Sequence, residues 1–259
     1  MDEFLALSSA WLPPVREFLI LVPVIVLASF IFVTVGFGGG VIAVPIAALF
    51  IDMVFLLPVL VIIESFTVLR LLRLSHQSIV RADAVRIIPA SALGTAAGVT
   101  LLVNLPMRWL MFGMAAFVAS FLLARLWIKP GGRGISQHWA WPMGTLAGLS
   151  SGAFGAGGPP TAIYLSLRGH STNALRATIA TTGTANLVFR IVGFTIAGLY
   201  LNPGILTTAL CLIPFAYLAS RLAEGVRNQI SDKVVLNLTY GILVLSAVSL
   251  FFRALWLSG

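Results

Sequence analysis

Four polar side chains recur at four-residue intervals inside one apolar stretch of the sequence: Thr178, Thr182, Asn186 and Arg190. This spacing places them on one face of a helix. The stripe ends in a guanidinium group, whose planar fork matches two oxygens of a sulfonate, carboxylate or phosphate. An ionisable side chain within an apolar span is costly unless it is paired or faces water. The pattern predicts that Arg190, Asn186 and Thr182 bind a small anion.

One acidic residue, Glu64, lies inside a second apolar stretch, at an equivalent place in the sequence. Two interpretations of the pair stay open. In the first, Glu64 and Arg190 form a structural ion pair, and the polar stripe packs helices together. In the second, Arg190 contacts a substrate while Glu64 takes up and releases a proton, which makes Glu64 the candidate for coupling to a proton gradient.

Two glycine-rich segments 119 positions apart interrupt long apolar runs. The first is Gly36-Phe37-Gly38-Gly39-Gly40, and the second is Gly155-Ala156-Gly157-Gly158-Pro159-Pro160. Glycine frees the backbone and exposes its N–H and C=O groups, which hydrocarbon tolerates only where protein or a water-filled cavity surrounds them. The N-terminus of a helix that restarts after such a break favours an anion. Paired interruptions in two halves of a membrane chain indicate the binding site of a transporter.

The predicted site lies between the two glycine breaks, where backbone groups join the polar stripe. Tyr164 occupies the position in the second copy that Pro45 holds in the first, and its hydroxyl is expected to reach the gap. The further predicted lining residues are Gly38, Gly39, Gly40, Gly157, Gly158, Pro159 and Tyr164. The alternative role of such glycines is close packing of helices, which is the favoured interpretation for Gly94, Gly98, Gly144 and Gly148.

The composition determines the class of protein. Of the 259 residues, 59% are hydrophobic and 9% are charged, and the mean hydropathy is +1.04. Soluble domains average roughly 45–50% apolar and 25% charged residues, so the sequence predicts an all-α polytopic membrane protein embedded in a lipid bilayer. The net charge of +8 does not indicate a nucleic-acid partner. Basic residues concentrate in four loops, which are therefore expected to be cytoplasmic: 73–86, 127–138, 168–176 and 221–233.

The spans follow one plan twice. The first half, residues 1–128, is predicted to be a broken hairpin and three spans: 18–51, 53–72, 87–103 and 107–126. After a cytoplasmic linker at 129–138, the second half, residues 139–259, repeats the plan: 139–167, 177–200, 204–220 and 234–256. Each hairpin is either re-entrant or a pair of short helices. Because basic loops flank the second hairpin on both sides, each half has an odd net number of crossings, which predicts an inverted-topology repeat with both termini outside.

No pattern for catalysis, a cofactor or a metal centre accompanies these features. The segment Gly148-Leu149-Ser150-Ser151-Gly152 matches a hydrolase nucleophile elbow, but that motif requires a preceding strand, and none is predicted. The glycine runs lack the spacing of a dinucleotide or ATP loop, and no His, Cys or carboxylate cluster has metal-ligand spacing. The sequence therefore predicts a protein that is not an enzyme. If transport is coupled to an ion, a proton and a sodium ion are the two candidates.

The paired motifs, with Pro45 after the first and Tyr164-Leu165 after the second, resemble those of the TauE/SafE family, also called the toluene sulfonate uptake permeases. The resemblance extends over roughly residues 18–256. It implies a transporter in the bacterial inner membrane that moves sulfur-containing anions, such as sulfite, sulfoacetate or other organosulfonates, often outward. The second motif has Pro159 where the first has Gly40, a departure from the family's commoner triple glycine. The two breaks are therefore expected to have unequal roles.

Residues and resemblance together predict an exporter of a small sulfur-containing anion that works by alternating access, with a homodimer as one possible assembly. Three alternatives stay open: a carrier for another small anion, a channel, and a non-transporting membrane scaffold. A carrier differs from a channel in showing saturable counterflow, and a scaffold would tolerate the loss of Arg190.

Overall fold

The computed structural model describes residues 15–35, 39–72, 79–127, 134–226 and 232–256. Within these ranges the chain is helical and contains no strand. The helices are α1 (Val15–Val35), α2 (Gly39–Ala47), α3 (Met53–Leu72), α4 (Arg81–Asn104), α5 (Met107–Trp127), α6 (Ala140–Phe154), α7 (Gly158–Leu167), α8 (Thr172–Ile196), α9 (Pro203–Val226) and α10 (Asp232–Trp256). Short 3₁₀ turns at Gln137–Trp139 and Leu199–Leu201 precede α6 and follow α8.

Five of these helices are long and apolar enough to cross a membrane. The spans are Val15–Thr34 in α1, Arg81–Asn104 in α4, Met107–Ala124 in α5, Asn173–Ile196 in α8 and Pro203–Gly225 in α9. Shorter apolar stretches, Met53–Phe66 and Gly241–Trp256, lie in α3 and α10. The predicted class, an all-α multi-pass membrane protein, is confirmed.

Helix bounds differ from the hydropathy pattern at several places; α9, for example, ends at Val226 rather than at 220. Helix α4 begins at Arg81 rather than at 87, and α8 begins at Thr172 rather than at 177. Hydropathy marks only the apolar part of a helix, whereas the helices extend into polar sequence; Ser171, for example, caps α8 by accepting a hydrogen bond from the backbone of Ala174. The first arm of the first hairpin, α1, has 21 residues and is long enough to cross. The arms that follow the breaks, α2 and α7, have 9 and 10 residues and are too short to cross a membrane.

The two sets of five helices pack in corresponding ways. Helix α4 packs on α6 as α9 packs on α1, and α4 contacts α8 as α9 contacts α3. The remaining large contacts join counterparts directly, α3 with α8 and α5 with α10. Two pairs of helices also start 119 positions apart, at Gly39 and Gly158 and at Met53 and Thr172. The same pairs of helices therefore meet when the two halves are exchanged, although α4 packs on α6 more extensively than α9 packs on α1.

The closest helix pair, α4 and α6, meets through glycines. A Cβ atom at Gly94 would overlap the carbonyl oxygen of Thr145, and one at Gly148 would overlap that of Ser91. Gly98 and Gly144 also face the backbone of the opposite helix. Small residues let two backbones approach this closely in a membrane. The predicted packing role of these four glycines is confirmed.

Candidate functional site

The second glycine break is a short turn between α6 and α7. Helix α6 ends at Phe154, and Gly155 adopts a left-handed backbone conformation with φ of 67°, which favours glycine. Its N–H donates to the carbonyl of Ser151 at 2.9 Å. Helix α7 starts at Gly158, and Pro159 fits its first turn because proline needs no backbone partner there. The backbone N–H of Ala156 donates to the carbonyl of Ser150 at 3.0 Å and closes the turn.

The two breaks meet inside the protein. Residues 36–38, including the predicted site residue Gly38, lie outside the described residues, but Gly39 and Gly40 open α2. A Cβ atom at Gly40 would overlap the carbonyl oxygen of Gly155 and would lie 3.2 Å from Oε1 of Glu64. The start of α2, the second break and the middle of α3 therefore share one small region.

Arg190 lies in this same region. It is only 3% exposed, and its Nη1 donates to Oε2 of Glu64 at 2.8 Å. A methyl group on Gly155 would lie 3.3 Å from its Nη2, and the ring of Phe194 lies 5.9 Å from the guanidinium carbon. The ion pair that the sequence left open is thus present, next to both breaks.

The guanidinium is not fully satisfied by this ion pair. Its Nε and Nη2 are buried and have no hydrogen-bond partner among the residues that the structure describes. A buried donor without a partner costs about 1–3 kcal/mol. Among the described residues, the edge of Arg190 that faces away from Glu64 therefore keeps donors that no protein oxygen accepts from.

Asn186 brings a second polar group to the break. Its side chain is 4% exposed, its Nδ2 would lie 3.0 Å from a Cβ atom on Gly157, and its Oδ1 has no partner in the described part of the chain. Thr182 is also buried, but its hydroxyl bonds to carbonyls of its own helix, those of Thr178 and Ile179. Of the predicted stripe, Arg190 and Asn186 lie at the breaks, and Thr182 lies one helical turn away.

Tyr164 points elsewhere. Its hydroxyl, predicted to reach the gap, donates to Oδ1 of Asp83 at 2.9 Å. Asp83 is fully buried on the first turn of α4, and a buried carboxylate requires donors. The sequence pattern missed Asp83 because the predicted span began only at 87. The signal for it was an acidic residue directly before an apolar span.

Tyr200 is a residue of this region that the sequence pattern also missed. It lies in the 3₁₀ turn after α8, and its hydroxyl is buried without a partner among the described residues. Burial raises the pKa of Tyr200, and the positive charge of Arg190 lowers it in part. The turn thus places a neutral hydroxyl within the electrostatic reach of Arg190.

A small cavity, partly open to the surface, reaches Glu64 from the space between α1, α2 and α3. Its lining is mostly apolar, and the side chains of Ser29 and Glu64 are its polar groups. The lining residues are Ile25, Ala28, Ser29, Phe32, Gly39, Ala43, Leu60 and Glu64. Glu64 keeps 25% of its side chain exposed, so this cavity connects the ion pair with the outside of the protein.

The chain was compared with known proteins. The protein-family model described as "Sulfite exporter TauE/SafE" matches residues 21–250. No curated protein and no solved structure matches the chain. The matched region contains both glycine breaks, Glu64 and Arg190.

Proposed function

The chain belongs to the sulfite exporter TauE/SafE family, a family of membrane transporters and not of enzymes, and we propose that it exports a small sulfur-containing anion through the region between its two breaks. Sulfoacetate and sulfite are the proposed substrates. The observation that carries the proposal is the buried guanidinium of Arg190, which lies beside Gly155 of the second break and whose Nε and Nη2 have no partner among the described residues.

The anion would bind on the free edge of Arg190. Nε and one Nη nitrogen form a fork that matches two oxygens of a sulfonate or sulfite group. The amide of Asn186 lies on the same helix face and supplies a further donor. The N-termini of α2 and α7 begin at the breaks, and each contributes roughly half a positive charge that favours an anion.

Glu64 is the proposed competitor of the substrate. Its carboxylate already occupies one nitrogen of Arg190, and a bound anion would place two negative groups on one guanidinium. Protonation of Glu64 removes this repulsion and releases Nη1. The arrangement therefore favours the coupling of anion binding to the uptake of a proton by Glu64.

Alternating access by an inverted-topology repeat is the proposed mechanism. The exchange symmetry of the helix contacts supports a repeat, since α4 on α6 corresponds to α9 on α1. We place the protein in the inner membrane with its four basic loops on the cytoplasmic side and both termini on the other side. The excess of basic residues in these loops supports this orientation. The site would then lie between two similar halves, of which one moves against the other.

A ligand panel on the purified protein tests this proposal. We expect sulfite, sulfoacetate or isethionate to raise the unfolding temperature, and acetate at the same concentration to have no effect. A ligand at 100 times its dissociation constant stabilises the folded state by roughly 2.7 kcal/mol, which such an assay resolves. Saturable counterflow of the same anion in proteoliposomes would identify a carrier rather than a channel. If folded protein shows no shift with any sulfur anion, the proposed substrate class is wrong.

Glu64→Gln is expected to increase the affinity for the anion about tenfold and to abolish the pH dependence of transport. Glutamine keeps the shape of the side chain but removes the charge that competes for Arg190, and a charge-assisted hydrogen bond contributes about 1.5–3 kcal/mol. Anion titrations at several pH values measure both effects. Glu17→Gln, at the start of α1 and outside the site, is the matched control. Unchanged pH dependence in Glu64→Gln would rule out Glu64 as the coupling residue.

A further inference from the structure

Asp83 is the centre of a polar network that the proposed substrate site does not use. The residue is completely buried, and its carboxylate accepts hydrogen bonds from Tyr164 at 2.9 Å and from Gln137 at 3.2 Å. Nε2 of His170 lies 2.8 Å from the second carboxylate oxygen, and Nε of Arg168 lies 3.7 Å from the same oxygen. Oδ1 therefore accepts from two side chains of other segments, and Oδ2 lies next to the His170 ring and the Arg168 guanidinium.

The network ties together segments that are far apart in the sequence. Tyr164 lies in α7, Arg168 and His170 follow that helix, and Gln137 lies in the turn before α6. At the same end, the backbone N–H of Val80 donates to the hydroxyl of Thr178 at 3.0 Å, which joins the start of α4 to α8. Helix α7 begins at the second break, and α8 carries Arg190. Both are thus bonded to the start of α4.

The network lies at one end of the proposed pathway. Thr178 is twelve residues before Arg190 on α8, which corresponds to about 18 Å along the helix axis. The cavity that reaches Glu64 lies between α1, α2 and α3, and no residue of the network lines it. In this conformation the cavity reaches Glu64 from the side of α1, α2 and α3, while polar contacts join the segments around Asp83.

The corresponding positions of the other repeat have no such network. A shift of 119 positions relates Asp83 to Asn202, Tyr164 to Pro45, and Arg168 and His170 to Leu49 and Ile51. None of these four counterparts is charged. Asn202 uses its side chain locally and accepts a hydrogen bond from the backbone of Gly204 at 3.0 Å. The Asp83 network is therefore specific to one end of a protein whose helices otherwise correspond in pairs.

We propose that the Asp83 network is a gate that closes the transport pathway at the start of α4 and opens once in each transport cycle. The inference rests on the proposed transport function. A polar gate suits reversible opening because its hydrogen bonds are exchanged for bonds to water at a small net cost. His170 and Arg168 are 23% and 27% exposed, so water can reach the network as it separates. Opening would release α7 and α8 from α4 and expose the stripe between Thr178 and Arg190.

A cysteine placed between the gate and the site tests this inference. Thr182 is 1% exposed and lies on α8 between Thr178 and Asn186, so Thr182→Cys reports on opening at this end. The native Cys211 is first replaced by serine. A membrane-impermeant thiol reagent is then applied to sealed vesicles from the side on which His170 lies. With Asp83→Asn, and more weakly with Tyr164→Phe, the labelling rate is expected to rise about tenfold, the factor that a single charge-assisted hydrogen bond provides.

Asn202→Ala, at the counterpart of Asp83 in the other repeat, is the matched control and should leave this labelling rate unchanged. Tyr164→Phe removes one hydroxyl and is expected to fold even if Asp83→Asn does not. Unchanged labelling in Tyr164→Phe, with intact protein shown by a single size-exclusion peak, would overturn the gate. Because labelling requires no substrate, a failure of the gate is distinguishable from a failure of the proposed anion specificity, which the ligand panel measures.

Discussion

Gly148→Ala is expected to separate α4 from α6 and to leave little folded protein. The added methyl group would overlap the carbonyl group of Ser91, which belongs to the backbone and cannot rotate away as a side chain can. Overpacking in a well-packed core costs about 1–3 kcal/mol and occasionally more. Because the neighbour of Gly148 is rigid backbone, we expect Gly148→Ala to destabilise the protein by an amount at the upper end of this range. Stability is only about 5–15 kcal/mol in total. The yield of monodisperse protein and its unfolding temperature measure the loss.

Gly183→Ala is the matched control for that prediction. Gly183 lies within α8, and a Cβ atom there would meet no atom within 4 Å. Alanine is more favourable than glycine inside a helix by roughly 0.8–1 kcal/mol, so the unfolding temperature should stay the same or rise. If Gly148→Ala and Gly183→Ala give the same yield and the same unfolding temperature, the close approach of α4 and α6 is not what holds this helix pair together.

Features that depend on local spacing were predictable from the sequence. The stripe from Thr178 to Arg190 follows from a four-residue repeat, and the two breaks follow from a fixed offset. The sequence also suggested, as one of two interpretations, that Glu64 and Arg190 form an ion pair, because an unpaired charge in an apolar span is costly. The structure places the two side chains 2.8 Å apart.

Features that depend on contacts distant in the sequence were not predictable. Tyr164 and Asp83 are 81 positions apart, and no local pattern indicates that the end of α7 packs on the first turn of α4. Tyr164 belongs to a small buried apolar cluster together with Ile87 of α4 and Ile179 of α8, so residues from three helices meet there. The sequence predicted Thr182 as an anion ligand, whereas in the structure its hydroxyl bonds to carbonyls of α8.

The two interpretations of Arg190 are compatible, because an ion pair uses only part of the guanidinium. Glu64 takes one of five N–H donors, and Nε and Nη2 are buried without partners in the described ranges. A purely structural pair would be more stable if neighbouring carbonyls satisfied these groups, since each one left unsatisfied costs about 1–3 kcal/mol. Buried donors that stay unsatisfied beside a glycine break instead fit a site that binds a ligand, since such groups in a native structure require a functional explanation.

Arg190→Ala is therefore expected to abolish the stabilisation by sulfur anions and to lower their affinity by about 100-fold or more. Two charge-assisted hydrogen bonds of about 1.5–3 kcal/mol each account for this factor. Arg190→Lys, which keeps the charge but loses the planar fork, should lose part of the affinity. Anion titrations of each variant measure these differences. Arg176→Ala, on the same helix but outside the breaks, should bind like the unaltered protein.

Comparison with Glu64→Gln separates the loss of a ligand contact from the loss of the ion pair, because both variants break the pair and only one removes the guanidinium. If Arg190 binds the anion, Glu64→Gln retains or strengthens the anion-induced shift, while Arg190→Ala loses it. If the pair is only structural, both variants lower the unfolding temperature by similar amounts and both keep the shift. The second result would leave the free edge of Arg190 without a ligand and would move the proposed site away from the two breaks.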